Sequence, residues 1–251
     1  TTVNLAAALT MGGLHVLVID ADPQGNTSTA LNIEHHAEVP SMYEVLVESA
    51  PISDVVQDVP DMERLQCAPA TINLSGAEIE LVSLVARENR LRNAIREHLE
   101  EREAQGLPRL DYVLVDCPPS LGLLTVNALT ASHGVIIPLE TEYFAMRGVA
   151  LLVETIDKIT DRLNPGLTID GILATMFDGR TLHSREVVGS VVEHFGDAVV
   201  SASWDSLVLR LPRAGRVARV PLLDPLAHGR FATEDLVSAG DVDDLVAGLG
   251  A

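Results

Sequence analysis

Three aspartates carry the most distinctive chemistry in this 251-residue chain. Asp20 and Asp22 close an apolar run in Val16-Leu17-Val18-Ile19-Asp20-Ala21-Asp22-Pro23-Gln24-Gly25-Asn26, and Asp116 closes another in Tyr112-Val113-Leu114-Val115-Asp116-Cys117-Pro118-Pro119-Ser120. Carboxylates gathered at one edge repel each other and need a cation, and hard oxygen ligands with waters left over suit Mg2+. An acid at the end of an apolar strand is also what a Walker B element looks like, its carboxylate holding a metal-bound water beside nucleotide phosphates. The plainer reading of Asp116 is a residue that starts a turn before Pro118 and Pro119. Asp-x-Asp-Pro-Gln-Gly-Asn is harder to reduce to a turn.

The elements that must position these acids follow from hydrophobic periodicity. His15–Ile19 is a short, nearly unbroken apolar run, the pattern of a strand buried on both faces, and similar runs recur at Tyr112–Val115, Gly134–Ile137 and Ile169–Thr175. Helical patterns lie between them. Thr1–Leu9 reads as a helix stopped by Gly12-Gly13, and one long helix is expected from about Ala77 to Glu103, with Ile79, Leu81, Leu84, Val85, Leu91, Ile95 and Leu99 on its apolar stripe. Others are expected over Leu121–Ala131, Ala145–Leu163 and Ser184–Phe195. Strands alternating with amphipathic helices predict an α/β fold, a mostly parallel sheet with helices on both faces. In such sheets ligands bind beyond the carboxyl ends of the strands, where all three aspartates fall.

Composition narrows the function further. Lys and Arg total 17 against 36 Asp and Glu, a formal charge of -19, so contact with nucleic acid has to be local. Only 3% of residues are aromatic, a poor supply for stacking single-stranded bases. Two cysteines, Cys67 and Cys117, are too few for a disulfide framework. Neither a membrane-spanning run nor a basic leader is visible, and a cytoplasmic location is expected. Lys158 is the sole lysine.

Five stretches, Val3–Leu9, Val16–Asn26, Asp111–Leu121, Glu142–Gly148 and Gly171–Thr181, resemble the ParA/Soj partition ATPases, and the resemblance spans residues 1 to about 200. It implies a P-loop NTPase-like fold, with a nucleotide-binding domain over residues 1–203 and a divergent segment over 204–251. ATP and Mg2+ are the implied ligands. Asp22 would orient or activate the attacking water with Asp20 in support, and Asp116 would be the Walker B acid that binds Mg2+ through water. Thr1 would sit just beyond the phosphate loop, Asn26 would fix the first switch loop, and Pro118 would open the second switch. Met176 and Phe177 would lie near the adenine, although both read equally well as core residues. Arg180 matches a position that touches DNA nonspecifically and reads equally as a solvated turn residue. The implied partners are a second copy of the chain, nonspecific DNA of the nucleoid and a ParB-type centromere-binding protein.

Two departures from the family pattern stand out. No Gly-Lys pair occurs, and Lys158 falls mid-helix, so nothing in these residues replaces the phosphate-loop lysine; the expectation is that the first strand and loop lie upstream of Thr1. Beyond about Ser201 the chain leaves the pattern, and Pro212 and Gly215 argue for an irregular segment rather than a helix carrying Arg210, Arg213, Arg216 and Arg219. Other readings are a MinD-like positioning ATPase, a receiver-like Mg2+-binding module built on Asp20, Asp22 and Asp116, and a dinucleotide-binding oxidoreductase with Asp20 on a ribose hydroxyl.

Overall fold

The computed structural model describes residues 1–140, 145–175, 177, 180–195, 199–201, 206–211 and 216–221. They group into two compact units, one of Thr1–His133 with Glu154–Leu167, the other of Gly134–Val153 with Thr168–Ala251. The first begins with α1 (Thr2–Met11), which ends where Gly13 takes a positive φ of 87°. β1 (Val16–Asp20) is next, and the five-residue α2 (Asn26–Ala30) comes after the acidic loop. A π-helical turn at Glu44–Glu48 and a 3-10 turn at Ile52–Asp54 lead to β2 (Gln57–Asp58) and β3 (Leu65–Ala68). Then come α3 (Leu74–Leu81), α4 (Arg90–Ala104), β4 (Tyr112–Asp116) and α5 (Leu123–Ala131).

The sheet order is β2-β3-β1-β4, with β1 parallel to both neighbours and β2 antiparallel to β3. β1 is central and wholly buried because its side chains alternate between two covered faces. Leu17 and Ile19 join the main cluster with Met42, Leu46, Leu74 and Leu91, whereas Val16 and Val18, equally buried, lie outside it on a strand against which α1 packs. β4 has the same apolar character but is the edge strand of this sheet, and its five residues are only half-buried. The second unit contains parallel strands β5 (Gly134–Glu140), β6 (Thr168–Thr175) and β7 (Val199–Ser201) in that order. With α6 (Ala145–Arg162) and α7 (Leu182–Phe195), these elements bear out the mostly parallel α/β expectation.

Three local expectations are corrected. The single helix over 77–103 is two helices: Ala86 takes a left-handed φ of 53° and a 3-10 turn at Arg87–Asn89 separates α3 from α4. The stripe is broken accordingly, since Ile79 and Val85 are 80% and 91% exposed while Leu81 and Leu91 are buried. No glycine or proline marks the break. It is held instead by Asn127 of α5, wholly buried, whose amide donates to the Arg87 carbonyl at 2.8 Å and to the Leu123 carbonyl at 2.9 Å, and whose Oδ1 accepts the Leu91 N–H at 3.2 Å. Asn127 therefore caps α4 from another helix. Secondly, β3 and its short partner β2 add strands that hydrophobic periodicity does not mark, because Leu65-Gln66-Cys67-Ala68 is too short and mixed to stand out. Thirdly, the segment expected to be irregular after Ser201 includes an antiparallel pair, β8 (Ser206–Leu211) and β9 (Arg216–Pro221), with Arg210 opposite Val217.

Glycine at position 122 leaves room for the Glu78 carboxylate in its present rotamer. A Cβ there would lie 1.9 Å from Glu78 Oε1, the carboxylate that α3 places at the N-terminus of α5. An acid at that end meets the unpaired N–H groups and the positive end of the helix dipole.

Replacing Asn127 by alanine leaves a buried N–H and buried carbonyls without partners, and the expected loss is about 2 kcal/mol. Ile79→Ser on the exposed face of α3 should change stability by no more than about 0.5 kcal/mol. Urea denaturation of the two variants checks the pair, and equal losses would contradict a helix broken at residues 82–89.

Candidate functional site

β1 and β4 run in register so that Asp20 lies directly opposite Asp116. The parallel pairing thus brings two of the three acids to one sheet edge, and the Ala21 N–H donating to the Asp116 carbonyl at 2.8 Å extends it beyond the last strand residues. Immediately after β1 the chain makes a tight loop. Asp22 Oδ1 accepts the Gln24 N–H at 3.0 Å and the Asp22 carbonyl accepts the Gly25 N–H at 2.9 Å. Gly25 then takes a left-handed φ of 64° as the N-cap of α2, a conformation glycine adopts without steric cost.

The first two buried residues of α2 are both hydroxyl donors, and each serves a different carboxylate. Thr27 Oγ1 donates to Asp116 Oδ2 at 2.8 Å. Ser28 donates twice to Asp20 Oδ2, from N–H at 2.8 Å and Oγ at 2.7 Å, and its Oγ also accepts the Ala70 N–H at 3.3 Å. Thr2, at the start of α1, donates to the second Asp116 oxygen at 2.6 Å. Asp116 is thereby fixed from two helices, with lone pairs remaining on both oxygens.

The three acids differ in burial and in bonding. Asp20 is wholly buried, and burial raises its pKa above 3.8 despite the opposing hydrogen bonds from Ser28 and Asp22; the Asp116 charge pushes the same way as burial. Asp22 is half-exposed, and its Oδ2 receives no hydrogen bond among the described residues. Cys67 on β3 is buried near this cluster, and burial, followed by the Asp20 charge, pushes its thiol up to about 12, which makes it a packing residue rather than a nucleophile. No group of three or more His, Cys, Asp or Glu among the described residues is disposed to hold a metal ion. The acids therefore share an edge without forming the three-carboxylate cage that their spacing invited.

Of the remaining expected site residues, Thr1 is exposed at the N-cap of α1, one residue before Thr2, and its carbonyl accepts the Leu5 N–H at 3.0 Å. Asn26 is exposed as the first residue of α2, and Pro118 is half-buried two residues after Asp116. Phe177 and Arg180 belong to the second unit: Phe177 is half-buried just beyond β6, and Arg180 is exposed in the turn before α7. Met176 lies outside the described residues. Lys158 is confirmed mid-helix in α6, ion-paired with Glu154 at 2.7 Å on an exposed face. Sequence reasoning missed Thr2, Thr27 and Ser28 while naming their neighbours Thr1 and Asn26. The available signal was the Thr27-Ser28-Thr29 run straight after the Asp-Pro-Gln-Gly-Asn loop, since consecutive hydroxyls on a helix edge can reach two adjacent strand ends.

Paired strand-end carboxylates beside a glycine-cornered loop, in a mostly parallel α/β fold, are the features expected of a P-loop NTPase-like fold, and the similar proteins share that fold. A sequence profile described as an AAA domain matches residues 1–169. The chain is 40% identical over 243 residues to the sporulation initiation inhibitor protein Soj of Bacillus subtilis, covering 94% of this chain and 90% of that protein. It is 43% identical over 221 residues to the chromosome partitioning protein ParA of Caulobacter vibrioides, covering 88% and 78%. The chain belongs to the ParA/Soj family. It also matches two uncharacterized proteins of Mycobacterium tuberculosis at 46% identity over 213 residues, spanning 63% of their length. A crystal structure from Mycobacterium smegmatis, described as cobyrinic acid a,c-diamide synthase with bound ATP analog and magnesium, superposes with a TM-score of 0.69 at 38% identity, covering 78% of this chain and 76% of that one.

Because its native pKa is raised, Asp20 holds a proton more tightly in the folded chain than in the unfolded one. Folding stability from this group is therefore full below 3.8 and declines as pH rises through the raised native value. Asp20→Asn removes that titration. Urea midpoints measured against pH should show the variant gaining on the wild type across this window and keeping a constant lead above it; parallel curves would refute the buried, ionisable state of Asp20.

Proposed function

We propose that the full-length protein is a ParA-type ATPase of chromosome or plasmid partition. It dimerises with ATP, binds nucleoid DNA nonspecifically, and is released when a ParB-type partner stimulates hydrolysis. The observation that carries this reading is the disposition of the three acids: Asp116 pinned by Thr2 and Thr27, Asp20 tied to the adjacent residue of the same short helix, and Asp22 with one oxygen open at the loop. We place the nucleotide domain over residues 1–203 and assign the cytoplasm, associated with the nucleoid, as its location. Among the described residues no helix is long and apolar enough to cross a membrane.

The donor set fits a hydrated Mg2+ that accompanies ATP. Asp116 has a fixed orientation and spare lone pairs on each oxygen, suited to accepting hydrogen bonds from metal-bound water rather than to displacing it. Bound there, Mg2+ would offset charge on the phosphates during in-line hydrolysis. Asp22 is assigned to the attacking water, which its open Oδ2 orients by accepting a hydrogen bond. Asp20 acts one step back: by receiving the Asp22 N–H at 3.2 Å and the Ser28 hydroxyl at 2.7 Å it sets the loop that aims Asp22. From the family resemblance alone we assign Thr1 and Pro118 to the phosphates, Asn26 to the first switch, and Met176 and Phe177 to the base. Arg180 supplies a local basic contact to DNA on a chain whose net charge of -19 repels it elsewhere. The phosphates themselves need a loop lysine and N–H cradle, which no Gly-Lys pair in these residues provides.

Steady-state ATP hydrolysis by the full-length protein tests the assignment. Asp22→Ala should lower kcat by about 100-fold, the usual contribution of a group acting on the attacking water, with ATP affinity nearly unchanged. Asp116→Asn should instead weaken Mg2+-dependent ATP binding in calorimetry. Full turnover in the Asp22 variant would remove it from the chemistry.

A further inference from the structure

One side chain outside the acidic motifs ties the loop together from the opposite side. His35 lies five residues beyond α2, half-buried, and its imidazole makes two polar contacts and lies close against Gly25. Nδ1 is 2.8 Å from the Ile33 carbonyl oxygen, Nε2 is 3.1 Å from Thr29 Oγ1, and Cδ2 stands 3.0 Å from where a Cβ on Gly25 would be. A carbonyl only accepts, so Nδ1 donates to Ile33, and Nε2 pairs with the Thr29 hydroxyl. That hydroxyl also lies 2.9 Å from the Gly25 carbonyl, which in addition accepts the Thr29 N–H at 2.9 Å. The ring thus spans from the N-cap of α2 to the chain beyond its last turn.

Such a tie has a physical use here. A five-residue helix cannot stabilise itself, because nucleation fixes several dihedrals before propagation compensates for them. α2 is nevertheless the element that delivers Thr27 to Asp116 and Ser28 to Asp20. Its inner side is held by those two carboxylates and its outer side by His35. The fit is steric as well as polar: glycine at 25 supplies the left-handed corner and also leaves room for the ring.

We propose that His35 is a positioning residue for hydrolysis, an imidazole clamp that holds α2 and the Asp22–Gly25 turn in the geometry needed by Asp116 and Asp22. This rests on the ATPase reading for its effect on turnover, but not for its effect on the loop. His36, the adjacent imidazole, is exposed and serves as the internal control.

Two measurements on the full-length protein separate the claims. The first is amide hydrogen exchange at Ser28 and Asp22, whose N–H groups bond to Asp20. His35→Ala should accelerate it about tenfold, the equivalent of one hydrogen bond, while His36→Ala leaves it unchanged. The second is steady-state ATP turnover, in which His35→Ala should lower kcat about tenfold with KM for ATP within about twofold, as expected for misplacement rather than lost binding. His35→Asn, which keeps a donor near Ile33, and His35→Gln, which keeps a group near Thr29, should each recover part of both signals, and Thr29→Ala added to His35→Ala should cost little more. Unchanged exchange in His35→Ala, or kcat within about twofold of wild type in all three variants of an active protein, would overturn the clamp. A wild-type protein without ATP turnover would count against the ATPase reading alone, and the exchange result would still decide the clamp.

Discussion

A carboxylate without solvent contact at the end of a central strand is the constraint around which the first unit is organised. Asp20 can remain there only because Ser28 and the Asp22 N–H answer its oxygens, and burial still outweighs those bonds in setting its pKa. To supply them, the chain must reverse tightly after β1 and start a helix within a few residues. Gly25 makes the reversal and α2 begins directly after it. The loop's conformation is therefore coupled to the hydrogen bonds that a buried carboxyl group requires.

Asp116 is the less buried counterpart, and the difference between the two acids is informative. Both stand at strand ends and both accept hydroxyl donors, yet Asp116 sits on an edge strand and draws its donors from two helices. One acid is enclosed and structural in its immediate bonding; the other is held still while keeping capacity for further ligands. Register sets the two acids side by side, and their division into a supporting and a presenting carboxylate follows from the central and edge positions of their strands and from the donors each meets.

Local reading succeeded where a single segment contained the whole cause. β1 is apolar at every position before Asp20 and proved buried on both faces, and α1 stops at the Gly12-Gly13 pair. The reading failed where the cause lay elsewhere in the chain. Residues 77–103 have continuous helical periodicity, and Asn127, reaching from α5 to the Arg87 carbonyl and the Leu91 N–H, creates a cap in its midst. β3 escaped notice because a strand of four mixed residues is specified by its neighbour β1 more than by its own composition.

The order of residues by itself determined the chemical inventory: three acids after apolar runs, hydroxyls directly behind the acidic loop, a glycine at the corner, and one lysine far from any of them. It also determined the class of fold, because alternating buried runs and amphipathic helices have few other ways to cover their apolar faces. Only the tertiary structure decided which acid is enclosed and which hydroxyl answers which oxygen. It also decided that the three carboxylates share an edge without forming a cage. These outcomes depend on strand register and on contacts between residues as much as 114 positions apart, and hydrogen bonds that short are settled by three-dimensional placement rather than by local propensity.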